Sequence, residues 1–224
     1  MENIKKLIVY RENTSNKIKM IAGYVYILSL IIILLSNTYP AFNKYLFFLV
    51  YDKFSSSGIL YVFLNDFMKF SAYYMWIIPL LLYIYVLYYL WKIHESILYF
   101  VSIPFISFIL SRILQRFFFD TRPYIEYHIL PLIHVSADNG FPSDHALLVF
   151  SILFSSFYIL KIELRERIKY ATAVIYFFIF FSIIIPISRV YVGAHHWTDI
   201  FGSLLIVSLS YIIYISFAFF YHSK

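Results

Sequence analysis

Charge is almost absent from long stretches of this chain, and that absence limits its fold more than any other feature. Six runs are nearly free of it: roughly 20–37, 71–92, 96–117, 143–161, 170–188 and 200–221. Each approaches the about 20 apolar residues that a helix needs to cross a bilayer's hydrocarbon. With 62% of its 224 residues hydrophobic and 13% charged, the chain carries more apolar surface than one soluble core of this size hides. In lipid each spanning segment must satisfy its own backbone, so the runs read as helices. The expected fold is all-α: one polytopic membrane bundle of six transmembrane helices over residues 1–224, with no repeat and no soluble domain. Two shorter apolar runs, Tyr45–Tyr51 and Ile59–Leu64, are too short to cross and are expected at the interface or packed on the bundle.

The chain has no cysteine, which excludes disulfides and thiolate metal sites. Its first 19 residues are too polar for a signal-peptide core. A net charge of +6 would suit a nucleic-acid partner in a soluble protein. In a membrane protein the positions of the charges count for more than their sum, and no nucleic-acid partner is expected. Six crossings put both termini on one side, with Lys5, Lys6, Arg11, Lys17 and Lys19. That side also takes Lys92, then Lys161, Arg165, Arg167 and Lys169, and finally Lys224. These are 11 of the 18 basic residues, so the termini are expected in the cytoplasm of a multi-pass cell-membrane protein. The loops after the third and fifth runs then face outward.

Those two loops hold most of the polar chemistry. One lies within Gln115–Phe150 and the other within Ser188–Gly202. Ionisable groups near membrane depth are costly and usually functional. Arg122 and Arg189 supply planar guanidinium forks that match phosphate oxygens. Pro142-Ser143-Asp144-His145, directly before the fourth run, reads as a helix start, where free N–H groups attract anions. Ser143 is its N-cap or a phosphate contact. His145 and His195 stand at helix ends, suited to a nucleophile and a proton donor. Asp199, four residues after His195, is expected on the same helical face, where it can fix the imidazole tautomer. His128, His134 and His196 are read as having no part in this site.

At these residues the chain resembles the type 2 phosphatidic acid phosphatase superfamily of membrane lipid phosphatases. The motif S-R-x5-H-x3-D is met in full by Ser188, Arg189, His195 and Asp199. The motif P-S-G-H appears as Pro142, Ser143 and His145, with Asp144 in the glycine position. The motif K-x6-R-P ends in Arg122-Pro123 but has Gln115 where lysine is usual. The resemblance implies a phosphohistidine on His195, orientation of that ring by Asp199, and leaving-group protonation by His145. It implies phosphate binding by Arg122, Arg189, Ser143 and the Gln115 position, with no cofactor and no metal. Arg116, one residue out of register, is a possible substitute for the missing lysine charge. Asp144 would repel a phosphate, so it is expected to point away or to pair with an arginine or histidine.

The variant Phe141-Pro142-Ser143-Asp144-His145 resembles the bacitracin-resistance type of undecaprenyl-diphosphate phosphatase. Ala194-His195-His196-Trp197-Thr198-Asp199 is similar instead to eukaryotic lipid phosphate phosphatases. The expected partners are therefore membrane lipids and a polyprenyl diphosphate substrate, handled by a monomer. A lipid monophosphate, such as phosphatidylglycerophosphate or phosphatidate, and phosphate transfer to another hydroxyl are the alternatives. A non-catalytic lipid transporter would instead spread its charges through the bilayer. Two arginines beside a cation disfavour a metallohydrolase.

Overall fold

The computed structural model of the protein describes residues 2–38, 40–53, 58–93, 97–160 and 170–222. Among them the secondary structure is entirely helical. The helices are α1 (Glu2–Thr38), α2 (Pro40–Phe48), α3 (Ile59–Tyr73), α4 (Ile77–Lys92) and α5 (Leu98–Leu114). They continue with α6 (Pro123–Glu126), α7 (Asp144–Ser156), α8 (Ala171–Tyr191) and α9 (Trp197–His222). A 3-10 turn, Phe157–Leu160, extends α7. Lys161, Arg165, Arg167, Lys169 and Lys224, which weighed in the expected orientation, lie outside the described residues.

Among the described residues, three stretches are long and apolar enough to cross a membrane: Lys19–Ser36, Ala171–Tyr191 and Trp197–Ser216. A fourth is reached if α3 and α4 form one span broken by a 47° bend, while α5 and α7 are shorter apolar helices. The apolar runs expected from the sequence thus all became helices, in the expected order. The second was drawn incorrectly. Ile59–Leu64 is not an isolated short run but the start of α3, and the chain from 71 to 92 contains the bend. Hydropathy averages along a segment and does not register a break.

Helices α5, α8 and α9 pack around α7, α1 lies along α9, and α3 lies against α8. Large apolar side chains such as Leu28, Phe63, Leu81, Tyr85 and Phe105 point outward. That arrangement suits lipid and would be a liability in water. Inside, helices approach through small residues. Ser155, Ser182, Ser203, Ser208 and Ser210 are buried, and Ser182 bridges α8 to α7 through the Val149 carbonyl at 3.1 Å. Close backbone approach of this kind is what holds helices together where no hydrophobic effect separates them from lipid.

Candidate active site

Three helix ends meet at the site: the C-terminus of α8 and the N-termini of α7 and α9. Arg189 sits in the last turn of α8. Gly193 then takes a positive φ of 79°, which side-chain-bearing residues rarely adopt. A Cβ there would also meet the Tyr51 ring at 3.0 Å. The turn folds the chain back, with the Ala194 N–H donating to the Arg189 carbonyl at 3.0 Å. His195 follows, 3% exposed.

His195 precedes α9 rather than lying on it, because α9 begins at Trp197. The expected helical-face pairing with Asp199 is therefore replaced by a capping geometry. Asp199 Oδ2 accepts the His196 N–H at 2.9 Å, as a carboxylate does near a helix N-terminus, and lies 3.2 Å from His195 Nδ1. The Gly140 carbonyl is 3.0 Å from the same nitrogen. Two acceptors on Nδ1 assign the proton there. Nε2 then carries the lone pair, and Arg122 Nη1 stands 3.3 Å from it. Burial, then Arg189 and Arg122, push the His195 ring well below the ordinary histidine range, so it is neutral at neutral pH.

Arg122 is extended before Pro123, as a residue preceding proline prefers, and Pro123 opens α6. Its Nη1 donates to the Ala194 carbonyl at 2.9 Å, and its Nε and Nη2 donate to Asp138 Oδ1 at 3.0 and 2.5 Å. Burial would raise Asp138, but the Arg122 and Ser136 hydrogen bonds outweigh it and hold that carboxyl below its usual value. Arg189 is 7% exposed, and its Nη1 donates to the Ala72 carbonyl at 2.9 Å. Arg189 Nε has no hydrogen-bond partner among the described residues.

Ser143 is the N-cap residue of α7 with extended backbone angles, yet its hydroxyl makes no cap bond. That hydroxyl is buried and unpartnered among the described residues. Of the two sequence readings, side-chain cap or phosphate contact, the first is not realised. The segment is docked from behind: Ser203 Oγ donates to the Ser143 carbonyl at 2.9 Å, and the Phe141 ring occupies the space beside Gly202. His145, the second residue of α7, packs edge-on against Trp76 at 5.8 Å. It lines a cavity of about 280 Å³ together with Arg189, Tyr73, His134 and Ser136.

The structure thus gathers Arg122, Ser143, His145, Arg189, His195 and Asp199. Gln115 is not brought into this cluster by any described hydrogen bond. Its side chain accepts Arg112 Nη1 at 2.6 Å, and Arg112 Nη2 pairs with Asp144 at 2.9 Å. Asp144 is therefore paired with an arginine, as the sequence reading allowed. The partner is Arg112, in the last turn of α5, and Gln115 caps the same helix three residues on.

Three residues were missed. His134 lines the cavity. His196 was read as uninvolved, yet it is fully buried, with Nε2 2.9 Å from a Glu126 carboxylate oxygen. Its backbone N–H is one of the donors that fix Asp199. Asp120, two residues before Arg122, has its carboxyl against Asp199. A second histidine next to the motif histidine was the only sequence signal for any of these.

A buried neutral histidine held by a carboxylate, with two buried guanidiniums close by, stands where apolar helices of a membrane protein end. The chain belongs to the PAP2 superfamily, which residues 96–222 match. That region contains every site residue named from the motifs. The undecaprenyl-diphosphatase BcrC of Bacillus subtilis (strain 168) is 26% identical over 112 residues, 50% of each chain. The chain thus spans about half the length of that curated relative. In fold the chain resembles the crystal structure of a transmembrane PAP2 type phosphatidylglycerolphosphate phosphatase from Bacillus subtilis. The TM-score is 0.62 at 17% identity, covering 88% of this chain and 95% of that one. At that identity the likeness speaks for the fold.

Proposed function

We propose that the protein is a membrane lipid phosphatase that cleaves phosphate from a lipid diphosphate through a phosphohistidine on His195. The observation that carries this reading is the orientation of the His195 ring. Nδ1–H is held by Asp199 and Gly140, so Nε2 presents its lone pair toward Arg122. In the first step Nε2 attacks phosphorus. The P–N bond forms as the bond to the leaving oxygen breaks, and His145, which takes up a proton as the anionic substrate binds, gives it to that oxygen. Asp199 stabilises the cationic ring that results. In the second step water attacks the same phosphorus, His145 takes its proton, and phosphate leaves as the P–N bond breaks.

Arg122, Arg189 and the Ser143 hydroxyl hold the three phosphoryl oxygens. The unpartnered Ser143 Oγ and Arg189 Nε are what such a role requires, because buried polar groups otherwise find protein partners. Donors already in place cost no reorganisation as charge develops. A polyprenyl diphosphate is supported by the departure at Asp144 and by the relative's name. The site faces outward and both termini face the cytoplasm, a reading supported by the basic residues flanking the apolar runs.

The test is phosphate release from lipid diphosphates and monophosphates by wild type and His195→Ala, each with EDTA and with vanadate. Release by wild type in EDTA, blocked by vanadate and abolished in the variant, is expected. Faster turnover of monophosphates would reassign the substrate. Equal activity of the two proteins would remove His195 as nucleophile, and dependence on added divalent metal would defeat the mechanism.

A further inference from the structure

Behind the histidine lies an arrangement that the phosphatase steps do not use. Asp199 has two oxygens, and both are buried. Oδ2 takes the His195 ring and the His196 N–H. Oδ1 has no donor by geometry among the described residues. A buried carboxylate oxygen without a donor is costly, because nothing replaces the water it has lost. The acid set beside this carboxylate is Asp120: Gly140 lies between the two, and a Cβ on it would stand 3.1 Å from the Asp120 carbonyl oxygen and 3.4 Å from Asp199 Oδ2. Two ionised carboxylates cannot share such a place, because like charges in contact drive one of them to keep its proton.

Which acid keeps it follows from the donors. Asp199 already accepts at Oδ2, which favours its charged form. The Asp120 backbone is tied down instead: its N–H donates to Asn139 Oδ1 at 3.0 Å and its carbonyl accepts the Gly140 N–H at 2.9 Å. These bonds aim the side chain without neutralising it. The same Gly140 offers its carbonyl to His195 Nδ1, so one short loop sets both acids and the ring.

The geometry points to Asp120 as a protonated positioning residue: its carboxyl O–H donates to Asp199 Oδ1, and the pair shares one proton that holds His195 in its Nδ1–H tautomer. The inference rests on His195 being the nucleophile. Burial, and next the charge of Asp199, push the Asp120 carboxyl up to about 7. His196, from the turn before α9, works against this, and Glu126 on α6 adds to it. Tyr127 is the remaining titratable neighbour, and its own hydroxyl is raised, by burial first and by Glu126 and Asp120 next.

Loss of this proton has two effects. Asp199 Oδ1 loses its donor, and a second negative charge appears behind a site that binds an anion. Both act on the free enzyme, so kcat/KM is expected to fall as pH rises through about 7. Stability should move the same way. The folded chain holds a proton that the unfolded chain releases near 3.8, so stability falls as pH rises between 3.8 and about 7.

The experiment compares wild type, Asp120→Asn and Asp120→Ala in detergent. It measures kcat and KM against pH, with the thermal midpoint followed over the same range. Asparagine keeps an N–H donor that does not titrate. It should leave kcat below neutrality within a few-fold, move or remove the alkaline fall, and flatten the stability slope. Alanine should lower kcat about tenfold or more below neutrality, with the gap to wild type closing as pH rises above about 7. The substrate's own titration is common to all three proteins and drops out of the comparison. An unchanged alkaline limb and an unchanged stability slope in Asp120→Asn would overturn the inference. An inactive wild type that still loses its stability slope in Asp120→Asn would defeat the phosphatase reading and leave the shared proton standing.

Discussion

The site has two halves that differ in how firmly they are held. The turn from Ser188 to Asp199 is buried throughout except at Trp197; His195 Nδ1 and the His196 N–H are held by Asp199, while Arg189 Nε and Asp199 Oδ1 have no partner by geometry among the described residues. The segment around Arg112, Gln115 and Asp144 is open, with the Arg112 and Asp144 side chains 43% and 55% exposed. The buried half meets its motif in full. The open half carries both departures, Gln115 and Asp144. The difference is physical. A group removed from the buried turn leaves a partner unsatisfied without water. A group changed on the open side is compensated by solvent, or by an exposed pair such as Arg112–Asp144.

Substitutions should separate the halves by size of effect. His195→Ala removes the proposed nucleophile and is expected to lower kcat by about 10⁵-fold or more. Retention of even a hundredth of the activity would place the nucleophile elsewhere. Arg122→Ala or Arg189→Ala removes a donor set proposed to hold the phosphoryl group, with an expected loss of about 10²–10³ in kcat. Ser143→Ala should cost about 10²-fold without lowering the thermal midpoint, since the hydroxyl makes no cap bond. Lower stability with intact kcat would return Ser143 to a capping role. The smallest effect is expected at the open pair. A double-mutant cycle on Arg112→Ala and Asp144→Gly should give a coupling below about 1 kcal/mol in stability. A large change in the preference for diphosphate over monophosphate in either variant would show that the open half selects substrate.

The pH dependence of stability sharpens the contrast on the buried side. His195 is neutral in the fold and titrates well below its usual 6.5. Below 6.5 the unfolded chain binds a proton that the folded chain refuses, so stability is lost as pH falls. His195→Ala should reduce that acid slope, readable in thermal midpoints. Arg112 and Asp144 should leave it unchanged.

The sequence by itself settled the all-helical character, the order of the apolar segments and the two loops that carry the chemistry. It could do so because hydropathy and charge are properties of composition along the chain, and the complete S-R-x5-H-x3-D spacing that marks the candidate site is local. Spacing also distinguished His195 from His196. Only the tertiary structure decided the rest. It decided that α3 and α4 meet at a bend, because packing and not apolar content sets direction. It replaced a helical-face pairing of His195 and Asp199 with a cap, because α9 starts two residues after the histidine. It gave Asp144 its partner from another helix, and it set Asp120 against Asp199 across 79 residues of chain. A carboxyl's charge depends on what surrounds it in three dimensions, and no pattern along the chain records that surrounding.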